Sequence, residues 1–66
     1  MNKTVMQFIT EYRLNIAEQL IKTTKKSFAE IAWICGFETE GYFGKCYKKF
    51  KGKTPRKARE EADQNK

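Results

Sequence analysis

Sixty-six residues with a formal charge of +6 and 39% hydrophobic content bound a single small domain, one that buries only ~60% of the surface its unfolded chain exposes. With no histidine and two isolated cysteines, Cys35 and Cys46, neither a zinc site of the usual ligand count nor a Cys-His nucleophile can be assembled, so no catalytic residue, metal or cofactor is expected. No secretory signal and no apolar run approaching the ~20 residues of a membrane span is visible, which predicts a cytoplasmic location with no membrane partner and both thiols as small core residues.

The first element expected is a long helix from Thr4 to about Thr23, a stretch without glycine or proline that opens on an acceptable N-cap. Ile9, Ile16, Ala17 and Leu20 share one face, and Leu14 and Ile21 broaden it. Val5, Phe8 and Tyr12 extend the apolar surface in the N-terminal half beyond what one small domain needs to cover.

Thr24-Lys25-Lys26 connects to a second helix announced by Ser27 and Glu30 in Ser-x-x-Glu spacing, in which the hydroxyl takes an orphan amide and Glu30 reaches back. Gly36 should end this helix in the left-handed conformation, with Phe37 folding back onto the preceding turn. Phe28, Ile31, Ala32 and Cys35 are its inward candidates. Trp33 is expected to be a partly buried packing residue.

A third helix takes Thr39 as N-cap and Glu40 as a first-turn acid, with Phe43, Cys46, Tyr47 and Phe50 as its core stripe at i, i+3, i+4, i+7. Rotation by 100° per residue puts Glu40, Gly41, Gly44, Lys45 and Lys48 on the outward side. Thr54-Pro55 then opens a last helix through about Ala62. The expected fold is all-α, with about four helices: a long linker helix and connection over 1–26, a helix-turn-helix core with its C-terminal helix over 27–62, and a frayed tail over 63–66.

Between Gly41 and Arg59 lie eight basic residues and no acidic one. A solvated basic face is the ordinary explanation of such a run, but the interleaved Tyr42, Phe43, Tyr47 and Phe50 mark it as folded, and a folded cationic face suits a polyanion.

Arranged in this way, the residues resemble the second helix-turn-helix of the AraC/XylS family of bacterial transcription regulators. The resemblance spans Arg13 to Arg59 and rests on Tyr12-Arg13-Leu14, Ala17, Leu20-Ile21, Ser27, Glu30-Ile31-Ala32, Gly36-Phe37, Tyr42-Phe43, Lys45, Tyr47-Lys48-Lys49, Gly52, Thr54-Pro55 and Arg59. It implies that the first helix joins two tandem helix-turn-helix units, the other unit being outside this chain; the likeness of Asn2-Lys3-Thr4-Val5 to Gly52-Lys53-Thr54-Pro55 fits a cut between units. Ala58 stands where the family often carries an aromatic near its final arginine, which predicts looser packing of the last helix. Gly41 and Gly44 stand where the family commonly has small polar residues, so that bare backbone either approaches base edges or phosphate there or simply weakens the helix by ~1 kcal/mol each.

The function this implies is sequence-specific binding of double-stranded DNA, with the helix of about 40–50 in the major groove. Lys45 is the leading base reader, since lysine donates to guanine O6 and N7, and Glu40 can accept from cytosine N4 or merely serve the helix dipole. Gly41 and Gly44 complete the base-facing set. Lys48, Lys49, Lys51 and Lys53 are expected at phosphates, together with the helix-terminal amides at Ser27 and Phe28. The alternative is a protein-interaction module that contacts RNA polymerase or self-associates through the N-terminal helix and binds DNA only weakly.

Overall fold

The computed structural model describes residues 4–64, which form four helices, α1 (Val5–Thr23), α2 (Phe28–Ile34), α3 (Glu40–Lys51) and α4 (Pro55–Gln64). No strand is present among them. The helix starts follow local side-chain chemistry: Thr4, Ser27, Thr39 and Thr54 each accept the amide three residues on, at 3.0–3.1 Å. The reciprocal box forms on α1, where the Gln7 side chain takes the Thr4 amide at 3.0 Å. On α2 only the Ser27 half forms, and Glu30 is exposed to solvent, so the expected return bond from Glu30 is corrected.

The turn between α2 and α3 is fixed by two hydrogen bonds, Phe37 N–H to Ala32 O at 2.9 Å and Gly36 N–H to Trp33 O at 3.1 Å. They close a Schellman motif around Gly36, whose φ of +88° is open to glycine at little cost. Phe37 is thereby folded inward and packs its ring 5.3 Å from that of Phe43. Gly52 ends α3 in the same left-handed conformation.

α1 packs against each of the other three helices. Its buried stripe is Leu14, Ala17 and Ile21, rotated from the expected face, because the contacts come from the helices that follow and lie against its C-terminal half. Ile16 is correspondingly 39% exposed. Phe43 and Tyr47 of α3, Leu14 and Ile21 of α1, and Ile31 of α2 are the largest fully buried side chains. Truncating any one of them should cost ~2–5 kcal/mol, a large share of the stability of a domain this small. Phe50 closes the expected α3 stripe only at its rim, at 36% exposure. Cys35 and Cys46 are buried free thiols, as expected. Ala58 is buried against the core without an aromatic ring.

The last helix continues two residues past Ala62, over Asp63 and Gln64. The rest of the expected tail, and Asn2-Lys3 of the sequence likeness, lie outside the described residues.

Candidate nucleic-acid interface

α3 buries Phe43, Cys46 and Tyr47, and this fixes its opposite side toward solvent. Glu40, Gly41, Lys45 and Lys48 are exposed there and Gly44 is half-buried. A Cβ built on Gly41 or Gly44 would meet nothing within 4 Å. The outer surface of the helix is therefore bare backbone flanked by an acid at its first turn and lysines beyond, and five of the expected site residues are together on one face.

The eight cations between Gly41 and Arg59 do not form one population. Arg59 turns inward: its guanidinium donates to the carbonyls of Lys26 at 2.7 Å, Thr24 at 3.1 Å and Ile21 at 3.3 Å, and lies 4.8 Å from the Phe28 ring centroid. Lys51 reaches back to α1, bonding Asn15 and pairing with Glu18 at 3.3 Å. Lys53 pairs with Glu61 of α4. Both were expected at phosphates; in the fold each also has a partner within the protein, Lys51 on α1 and Lys53 on α4. Lys45, Lys48, Lys49, Arg56 and Lys57 have no ion pair among the described residues.

The ion pairs shift the carboxylates they engage. Burial would raise the Glu18 carboxyl, but hydrogen bonds and charge from Lys22 and Lys51 outweigh it and hold the group below its ordinary value. Lys53, bonded to Glu61, lowers that group too, with Lys57 adding its charge. Tyr47 is pushed up to about 12, by burial first and by the Glu18 charge second. Burial raises the Cys35 thiol, against the opposing charge of Arg13; a raised pKa leaves little thiolate for chemistry. Among the described residues no group of His, Cys, Asp or Glu could hold a metal ion, and no helix is long and apolar enough to cross a membrane.

Two open clefts flank α3. One, of about 600 Å³, runs between α3 and the starts of α2 and α4, and its lining includes Phe28, Gly41, Gly44, Lys45, Pro55 and Arg56. The other, of about 310 Å³, separates α3 from the N-terminal half of α1 and includes Met6, Thr10, Tyr42, Lys45, Lys49 and Phe50. Ser27 is exposed and Phe28 half-buried at the open end of α2. Arg56 lies in the same cleft as Lys45 although the base-facing and phosphate sets read from the sequence omitted it; its place in the first turn after Pro55 was the available signal.

Trp33 is 81% exposed, which corrects the expectation of a packing residue. α2 has seven residues, and its buried side is filled by Ile31, Ala32 and the following Cys35, so the residue between them points away. Val5, Met6, Phe8 and Tyr12 of α1 are also exposed, at 63–74%.

The sequence matches a helix-turn-helix domain model over residues 1–61. The fold is shared with a transcriptional regulator of Chromobacterium violaceum described as having an AraC-type DNA-binding domain: the TM-score is 0.90 at 34% identity, over 94% of this chain and 55% of that one. The chain belongs to the AraC-type helix-turn-helix family.

Within the AraC-type family the chain is 39% identical over 59 residues to the HTH-type transcriptional regulator ArgR of Pseudomonas aeruginosa, covering 89% of this chain and 18% of that protein. The same identity over the same length is found with the xylose operon regulatory protein of Haemophilus influenzae, of which it covers 15%. A histidine kinase, P4 of Formosa agariphila, is 41% identical over 54 residues, 82% of this chain but 4% of the kinase. The chain thus spans less than a fifth of these relatives. AraC-type domains are DNA-binding units of transcription regulators and not enzymes, and the kinase is matched only through its helix-turn-helix region.

Proposed function

We propose that this chain is the sequence-specific DNA-binding module of a bacterial transcription regulator, with α3 lying in the major groove of double-stranded DNA. The observation that carries the reading is the sorting of cations: those on the outer side of α3 have no ion pair among the described residues, whereas Lys51, Lys53 and Arg59 are engaged within the fold. Free cations on an inserted helix gain phosphate contacts without breaking internal ones. Lys45 reads base edges as a donor to guanine, and Glu40 at the first turn accepts from cytosine. Over Gly41 and Gly44 the backbone can approach the bases closely, since no side chain stands there. Lys48 and Lys49 hold phosphates, with the amides at Ser27 and Phe28 offering neutral donors.

Salt dependence tests this. If three or four phosphates are neutralised, log affinity for duplex DNA should fall against log salt with a slope of about −2.7 to −3.6. A slope near zero would overturn the proposal.

A second reading, association through α1, is favoured by one observation: Val5, Met6, Phe8 and Tyr12 leave a run of large apolar side chains uncovered along the N-terminal half of that helix. Val5, Phe8 and Tyr12 lie outside the cleft that holds Lys45 and Lys49, whereas Met6 lines it, so association through the first three leaves that cleft open to DNA.

A further inference from the structure

α3 stands as a ridge between two clefts, and Lys45 lines both of them. Beside Lys45, each cleft contains one cation without an ion pair among the described residues: Arg56 in the cleft toward α4, and Lys49 in the cleft toward α1. A helix with its side chains is about 10–12 Å across, and the DNA major groove is about 12 Å wide, so an inserted helix fills the groove from wall to wall. The walls are the two sugar-phosphate strands. With α3 as the inserted ridge, each strand must enter one of the clefts, where it meets that cleft's cation. We propose that Arg56 holds a backbone phosphate of one DNA strand while Lys49 holds a phosphate of the opposite strand. This rests on the placement of α3 in the major groove.

A Cβ on Gly41 or Gly44 would touch nothing within 4 Å, so no side chain of α3 closes the cleft toward α4 at these two positions. Arg56 is exposed on the first turn of α4, and its planar fork suits two phosphate oxygens at once. Glu40 lines the same cleft without bridging to Arg56. Its carboxylate repels phosphate, which directs the strand to the Arg56 end of the cleft and leaves the first turn of α3 to the bases.

The test uses the chain, its Arg56→Ala, Arg56→Lys and Lys49→Ala variants, and a duplex selected for tight binding in which single phosphates on either strand are replaced by neutral methylphosphonate. Wild type should lose about tenfold in affinity at one or more positions on each strand, as expected for a charged hydrogen bond. Arg56→Ala should become insensitive at a position on one strand alone, Lys49→Ala at a position on the other, and Arg56→Lys should keep part of the wild-type sensitivity. Each alanine variant should also reduce the salt slope by about 1. The proposal is overturned if Arg56→Ala retains the wild-type profile on both strands, or if both alanine variants lose the same strand. Those outcomes leave DNA binding intact; failure of the wild-type chain to bind any duplex overturns the major-groove reading as well.

Discussion

The Arg59 guanidinium lies 4.8 Å from the centroid of the Phe28 ring and at the same time donates to the carbonyls of Thr24 and Lys26. One side chain from α4 therefore fixes both the connection after α1 and the first residue of α2. Arg59→Ala should remove these charge-assisted bonds and leave the part-buried carbonyls of Thr24 and Ile21 unpaired, a loss of about 2–3 kcal/mol in thermal or denaturant unfolding. Arg56→Ala, three residues earlier and exposed, should melt with the wild type. Equal stability of the two variants would show that the Arg59 contacts contribute nothing.

Gly36 is constrained twice. Its φ of +88° is strained for any other residue, and a Cβ there would come within 3.2 Å of the Arg13 guanidinium carbon. Gly36→Ala should therefore destabilise by more than ~1 kcal/mol. Adding Arg13→Ala should relieve only the steric part, since the backbone strain remains; full recovery in the double variant, measured by chemical denaturation, would mean that the crowding by Arg13 was the whole effect.

Two titrations bound the pH range of stability. Glu18 is held below its ordinary 4.5, so its contribution is present above pH 4.5 and is lost as pH falls through the lower folded value. Glu18→Gln should flatten the acid side of the stability profile. Tyr47 is shifted from 10 to about 12; the fold favours its neutral phenol, and stability is lost as pH rises from 10 toward 12. Tyr47→Phe should flatten the alkaline side relative to wild type. Variant profiles that parallel the wild type at both extremes would contradict these assignments.

Phe8 is 65% exposed, Met6 66% and Tyr12 63%, so the N-terminal half of α1 should drive association of the isolated chain at high concentration. Phe8→Lys should shift sedimentation equilibrium toward monomer with an unchanged helix-turn-helix, because Phe8 is largely exposed and is not one of the buried core residues. A wild-type chain that stays monomeric would rule out association by this face.

The helix starts, the Gly36 turn and the α3 core were legible because each depends on chemistry within a few residues: a hydroxyl three residues before an amide, a glycine at a C′ position, an i, i+3, i+4 stripe. What the sequence could not show was which partner each surface residue meets across the fold. Lys51 and Lys48 are both lysines on α3, and only the packing of α1 gives one of them Glu18 and Asn15. Trp33 has the composition of a core residue, yet a helix of seven residues has one narrow buried side and Ile31 and Ala32 occupy it. The face of α1 was misjudged at Ile16 for the same reason, since periodicity names a stripe and the neighbouring helices decide where it is covered. Glu40, Gly41, Gly44, Lys45 and Lys48 shared one side as expected because that side is defined by exclusion from a core the sequence displayed openly.

The most direct test of DNA reading by α3 is the discrimination between a selected duplex and random duplex DNA, measured at one salt concentration for wild type, Lys45→Ala and Lys48→Ala. Lys45→Ala should reduce the difference in binding free energy between the two duplexes by ~1–3 kcal/mol, while Lys48→Ala should weaken both alike. Equal losses on both duplexes for Lys45→Ala would contradict a base-reading role for the outer face of α3.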